Sequence, residues 1–250
     1  MSAATNQSLD NYPLCSLTSA LKRFQAPRGA FDANGSWRQT YRVYTLAGRA
    51  PAARAVGALT LRRRAGDDGA VTLTLDYVKQ LVGGSQKVAA VLNTRTDEQL
   101  SGPSRWTFEA RLLAADGKDL PQTRMKRSAA LKNGVITIRD PVETRSIRVA
   151  GAHTVNWCLF DAVQRLARRP GPPIAFTLID HFDEPKGAQS LAFRKEMTVA
   201  VAGGRAVRTF AFDHVGDGIV PWVYWVDEAG RLLFVVAGLE GYVLESSVQQ

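Results

Sequence analysis

Two cysteines and three histidines are all that 250 residues hold of the side chains that build zinc sites with sulfur and nitrogen. Cys15 and Cys158 lie far apart, and neither they nor His153, His181 and His214 show the spacing of a zinc site. Two cysteines are too few for a disulfide scaffold. They either pair in an oxidising compartment and tie the N-terminal segment to the core, or stay as ordinary buried thiols. No uncharged apolar run approaches the roughly 18–20 residues of a membrane helix, so no transmembrane segment is read. The 21 glycines and 11 prolines follow no period, which excludes a collagen-like chain. A Gly-x-Ser-x-Gly elbow and a dinucleotide fingerprint are missing. Gly83-Gly84-Ser85 and Gly203-Gly204 are too short for a phosphate loop and sit between strands, as hairpin turns do. No cofactor is expected. Met1 to Asp10 is polar and lacks the apolar stretch of a secretory signal.

What is present is enough apolar material to fold. The chain is 45% hydrophobic and 22% charged, which supports a buried core and excludes wholesale disorder. The formal charge is +9, unevenly spread. Residues 1–150 hold 23 Lys/Arg against 12 Asp/Glu, and residues 151–250 hold 9 against 11. Arginine dominates, 24 to 8 over lysine, and its planar fork suits carboxylates, sulfates and phosphates. The sharpest runs are Arg62-Arg63-Arg64 and Arg124-Met125-Lys126-Arg127. Neither has aromatics interleaved, and no nucleic-acid-binding motif occurs, so nucleic acid is not the expected partner. An anionic small molecule or glycan fits the charge, as does a plain solvated strand face.

Period-two alternation begins after Asn34-Gly35. Trp37, Gln39, Tyr41, Val43 and Thr45 alternate with Arg38, Thr40, Arg42 and Tyr44. Further strands are expected at 56–64, 71–81, 87–94, 106–114, 124–132, 135–139 and 146–149. Asn133-Gly134 is the strongest hairpin signal. Trp157 to Ala167 has helical spacing and ends at Arg168-Arg169-Pro170-Gly171-Pro172-Pro173, where basic residues suit the helix C-terminus and the prolines block continuation. Strands resume at 174–179, 192–201, 206–213, 220–226, 232–237 and 242–244. About a dozen strands with short turns and one lone helix predict an all-β protein: a large curved antiparallel sheet or incomplete barrel with one internal helix. Residues 1–34 read as an N-terminal lead-in, with a short helix suggested by Leu14, Leu17, Leu21 and Phe24. Residues 35–250 read as a single antiparallel β domain.

The segment Asn156-Trp157-Cys158-Leu159-Phe160-Asp161-Ala162-Val163, the hairpin Pro221-Trp222-Val223-Tyr224-Trp225-Val226-Asp227-Glu228-Ala229-Gly230-Arg231-Leu232-Leu233 and the closing Gly241-Tyr242-Val243-Leu244-Glu245 resemble bacterial envelope proteins of the domain of unknown function 3108 family. The resemblance covers Trp37 to Glu245 in layout and Asn156 to Glu245 in wording. It implies a curved antiparallel sheet akin to the half-barrels of lipoprotein carriers and a periplasmic or secreted location. It supplies no catalytic residues. The absence of a signal departs from the envelope pattern and leaves a cytoplasmic location open.

Two groups of side chains are candidates for function. His181 and His214 both follow apolar strands and both sit beside aspartates, Asp180 and Asp213. Were those strand ends to meet, the imidazoles and carboxylates would hold a divalent ion or act as a general base on an anionic glycan, in a lyase or hydrolase. The plain alternative is turn chemistry. Trp222, Tyr224, Phe210 and Phe212 crowd two neighbouring strands, with Trp222 and Tyr224 on one face and Trp225 on the other. Such a face walls either a lipid tail or sugar ring, or a packed core against the helix. The leading reading is a non-catalytic binding protein holding a hydrophobic or amphipathic ligand, with Arg62 and Arg64 toward an anionic head group.

Overall fold

The structure is a computed structural model describing residues 12–46 and 53–250. A first meander runs through β1 (Trp37–Thr45), β2 (Arg54–Ala65), β3 (Ala70–Leu81), β4 (Gly84–Arg95), β5 (Arg105–Ala114), β6 (Met125–Lys132), β7 (Val135–Arg139) and β8 (Thr144–Arg148). After the short β9 (His153–Val155), a second meander runs through β10 (Ile174–Asp180), β11 (Glu184–Ala200), β12 (Ala206–Val215), β13 (Trp222–Asp227), β14 (Leu232–Ala237) and β15 (Glu240–Gln249). All fifteen belong to one sheet, ordered β8-β7-β6-β5-β4-β3-β2-β1-β15-β14-β13-β12-β11-β10-β9. Every neighbouring pair is antiparallel except β9 with β10, which is parallel. The all-β curved sheet expected from the sequence is therefore the fold, with this one parallel exception.

The topology itself makes the sheet roll up. β1 pairs with β15, so the two meanders join at mid-sheet and β8 and β9 become opposite edges. Yet only residues 149–152 connect those edges, a reach of at most about 18 Å for an extended chain. The edges must lie close, and the result is an unclosed barrel. The β4–β5 loop covers the seam. Thr154 Oγ1 donates to the Leu100 carbonyl at 2.7 Å, and a Cβ on Gly102 would sit 2.4 Å from the His153 carbonyl oxygen. Only glycine permits that approach.

Helix α1 (Thr18–Leu21) lies in the lead-in, and helix α2 (Cys158–Ala162) and a 3₁₀ turn (Val163–Arg165) follow β9. Every residue of 158–164 is buried. The helix ends two residues earlier than its periodicity suggested, with Leu166 already extended. Arg165 fixes that end by donating to the carbonyls of Thr96 and Glu98, both at 3.0 Å. Arg63, on β2, reaches the helix from the sheet: its Nε lies 3.1 Å from Asp161 Oδ1, and the same carboxylate accepts from Ser101 Oγ at 2.5 Å.

The lead-in forms a 3₁₀ turn (Leu14–Leu17) and α1 (Thr18–Leu21), burying Leu14, Leu17, Ala20, Leu21 and Phe24. It packs on the outside of the barrel, Phe24 against Phe234 at 4.8 Å. This explains why β14 is apolar at six consecutive positions: Phe234 is covered by the lead-in outside, while Val235 lies beside Tyr242 and Tyr224 on the helix side.

Candidate ligand-binding cleft

Strand alternation decides which side chains face inward. Leu75 and Tyr77 on β3 register with Ala90 and Val88 on β4, and those with Phe108 and Ala110 on β5. Phe108 and Ala110 register with Arg127 and Met125 on β6. This wall faces Trp157, Trp222 and Tyr242, leaving a cleft of about 410 Å³ between them. One end is aromatic. Trp157 packs on Tyr77 at 5.5 Å, and Trp222 stacks on Tyr242 at 6.4 Å with 15° between the rings. Tyr242 donates to Glu240 Oε2 at 2.7 Å, and Glu240 also pairs with Lys79. Burial, reinforced by the Glu240 charge, holds the hydroxyls of Tyr77 and Tyr242 above their ordinary range, so both stay neutral.

The other end is basic and is closed by the β10–β11 hairpin tip, His181-Phe182-Asp183. Asp183 Oδ2 lies 2.8 Å from Arg127 Nη2, and Asp183 also pairs with Arg145 of β8. Arg145 faces inward because it registers with Ile138, which is buried. Burial and the neighbouring Arg145 hold the Arg127 guanidinium below its ordinary value. The ring of Phe182 is 1% exposed and lies 4.9 Å from Phe108. Both His181 (φ 50°) and Phe182 (φ 63°) are left-handed, a conformation costing non-glycine residues about 1–2 kcal/mol each. Asn156 supports the tip: its Oδ1 accepts from the His181 N–H at 3.1 Å and its Nδ2 donates to Asp180 at 2.8 Å.

The two histidines and two aspartates singled out from sequence do not gather into one site, although Asp180 lies within electrostatic reach of both imidazoles. His181 is solvent-exposed at the cleft rim, 3.7 Å from Asp180. Asp180 is buried. Burial raises its carboxyl, but the hydrogen bonds from Lys186 and Asn156 outweigh that and leave it below the ordinary carboxylate range. His214 is 1% exposed and bonded to Gln189 Oε1 at 3.0 Å. Asp213, its neighbour, points to the opposite face and pairs with Arg194 at 3.3 Å. Among the described residues no group of three or more His, Cys, Asp or Glu side chains is placed to hold a metal ion.

Of the aromatic set, only Trp222 lines the cleft. Tyr224 is fully buried behind it, edge-on to Phe160 at 6.0 Å. Phe212 packs on Phe193 at 5.8 Å, and Phe210 lies beneath the guanidinium groups of Arg168 and Arg208. Arg62 and Arg64 face outward, Arg62 bonded to Asp76 at 3.0 Å, while Arg63 between them points in. The cleft's own cation, Arg127, belongs to the second basic run. There, alternation turns Met125 and Arg127 inward and Lys126 outward, where it meets Glu109. Nothing in the sequence marks Tyr77, Phe108, Tyr242 or Arg145 as site residues, because each sits alone in an ordinary strand, and Asp183 is one acid in an acidic turn. A more open groove of about 530 Å³ on the outer face of β3–β7 is lined largely by small and polar residues such as Thr74, Ala89, Thr107 and Ser128.

Both thiols are free. Cys15 is partly exposed, and Cys158 is buried in α2. No helix among the described residues is long and apolar enough to cross a membrane.

No family model matches the chain, and no curated protein does. Among solved structures, it is similar to a beta-barrel-like protein of domain of unknown function DUF1849 from Brucella abortus. That likeness has a TM-score of 0.58 at 12% identity and covers 86% of this chain and 98% of that one. A structure described as an outer membrane lipoprotein-sorting protein domain from Vibrio parahaemolyticus aligns with 87% of this chain and 86% of its own, at 10% identity. Its TM-score of 0.19 is too low to define a shared fold. What this chain shares with the Brucella abortus protein is thus its beta-barrel-like fold; in this chain the sheet is unclosed.

Proposed function

We propose that the protein is a non-catalytic binding protein of the bacterial envelope that holds a hydrophobic or amphipathic ligand inside its rolled sheet. The supporting observation is the cleft: an apolar wall of Val88, Phe108 and Ala110, faced by Trp157 and Trp222, with Arg127 at one end. Concave, mostly apolar spaces with a few fixed polar groups are what small-molecule sites require. The envelope location is carried over from the sequence resemblance of Asn156 to Glu245 alone, which no family model matches.

Native mass spectrometry and solvent extraction of the purified protein test this reading. An amphiphile is expected to co-purify, or to raise the melting temperature when added. Ala110→Trp, which fills the cleft from its wall, is expected to abolish the shift while the protein stays folded. An empty protein that no member of an amphiphile panel stabilises would overturn the reading, as would undiminished binding by folded Ala110→Trp.

A further inference from the structure

We infer that the β10–β11 hairpin tip is an internal stand-in for the ligand: Asp183 occupies the place of an acidic head group on Arg127 and Arg145, and Phe182 occupies the place of an alkyl chain on Phe108. This rests on the cleft being a binding site, and it assigns the ligand's class: a carboxylate or phosphate on a hydrocarbon chain. Binding then displaces the tip.

The charge arrangement carries the first part. Arg127 and Arg145 both project into the barrel, and one carboxylate, Asp183, is shared between them. Asp140 and Glu143 lie near Arg127, but Asp140 is turned to the backbone of its own loop, accepting from Val142 and Glu143 N–H groups at 2.8 and 2.9 Å. Two guanidinium groups on an inner wall need an anion, and their forked donors suit a carboxylate or phosphate. The inner wall thus carries a built anion site whose present occupant is the protein's own side chain.

The tip's conformation carries the second part. Hairpin tips are ordinarily polar and, where left-handed, glycine or asparagine. Here two consecutive left-handed positions are histidine and phenylalanine, and the phenylalanine ring is sealed inside. Such a turn persists only because its contacts hold it, so an equivalent head and chain competing for those contacts release it. His181 at the rim moves outward with it.

Three twelve-carbon probes below their micellar concentrations test this on the full chain: dodecanoate, dodecyl phosphate and dodecanol. Titrations would follow the fluorescence of Trp157 and Trp222 in the cleft. Wild type is expected to bind the two acids at least tenfold more tightly than the alcohol. Asp183→Asn is expected to tighten both acids at least fivefold and dodecanol with them, because every chain that takes the place of Phe182 must displace the tip that Asp183 holds, and Asp183→Ser serves the same purpose if the first variant melts early. Arg127→Gln with Arg145→Gln is expected to erase the preference for acids while keeping dodecanol. Amide exchange over residues 180–186 should rise when dodecanoate is added. Equal affinity for acids and alcohol, or acids indifferent to removal of the Asp183 charge, would overturn this inference and leave the cleft proposal standing. Failure of all three probes on every variant would overturn both.

Discussion

Arg63 and Asp161 meet inside the barrel, Nε to Oδ1 at 3.1 Å, with both side chains shut off from water. The pair fastens helix α2 to strand β2. Arg63 also donates to the carbonyls of Asn34 and Gly35, so one guanidinium holds sheet, helix and the approach to β1. Asp161 has further partners, Ser101 at 2.5 Å and Arg165 at 3.2 Å.

This geometry predicts an asymmetry. Asp161→Asn leaves a buried guanidinium without its counter-charge and should cost about 3–5 kcal/mol. Arg63→Met should cost less, because Asp161 keeps Arg165 and Ser101. Urea denaturation of the two variants checks the order, and the reverse order would show that Arg63, not Asp161, is the hub.

His214 predicts a pH dependence. The side-chain nitrogen of Gln189 donates to the carbonyls of Gly187 and Asp217, so its oxygen is left to accept from His214 Nε2–H. Nδ1 is then the unprotonated nitrogen, and it has no hydrogen-bond partner. Burial pushes the imidazole down to about 4, with Asp180 pulling the other way. The folded value lies below the unfolded one, so the unfolded state binds the extra proton. Stability is intact above about pH 6.5 and falls as the pH drops toward 4, by about 3 kcal/mol at the lower end. Thermal melts between pH 7 and 4 should show this loss, and His214→Gln, which keeps a donor toward Gln189, should flatten it.

Cys158 predicts a chemical test. Burial pushes its thiol well above the ordinary range, and Asp161 nearby adds to that. A thiolate-seeking reagent should leave Cys158 untouched in the folded protein and modify it only as fast as the barrel opens. Mass spectrometry after labelling with and without denaturant distinguishes it from Cys15. Rapid native labelling of Cys158 would show that the helix leaves its seat.

Some strand ends are legible in the sequence, while β2 (expected at 56–64) and β8 (expected at 146–149) run from Arg54 to Ala65 and from Thr144 to Arg148. β1, β7 and β14 begin and end where alternation or an unbroken apolar run put them. The first half of β11, from Glu184 to Leu191, carries charged and glycine residues and gives no such signal. It is a strand because β10 pairs with it on one side, and its last two positions pair with β12 on the other. β9 is three residues long, too short for any period, and exists because its backbone pairs with β10. The histidine pair misled for a related reason. Similar wording at two strand ends does not place those ends together, and His214 lies inside while His181 lies on a projecting tip.

The amino-acid order by itself determined that this chain makes hairpins, that they share one core, and that a single helix interrupts them, because backbone periodicity and turn chemistry are local. It also determined that Arg63 must face away from Arg62 and Arg64. Which of the two faces is the inside was decided only by the roll of the sheet, since β8 and β9 come together through four residues of connection. The cleft belongs to that same decision. Tyr77, Phe108, Arg127, Trp157 and Trp222 come from distant stretches and face one another only because a flat order of strands was curved into a wall.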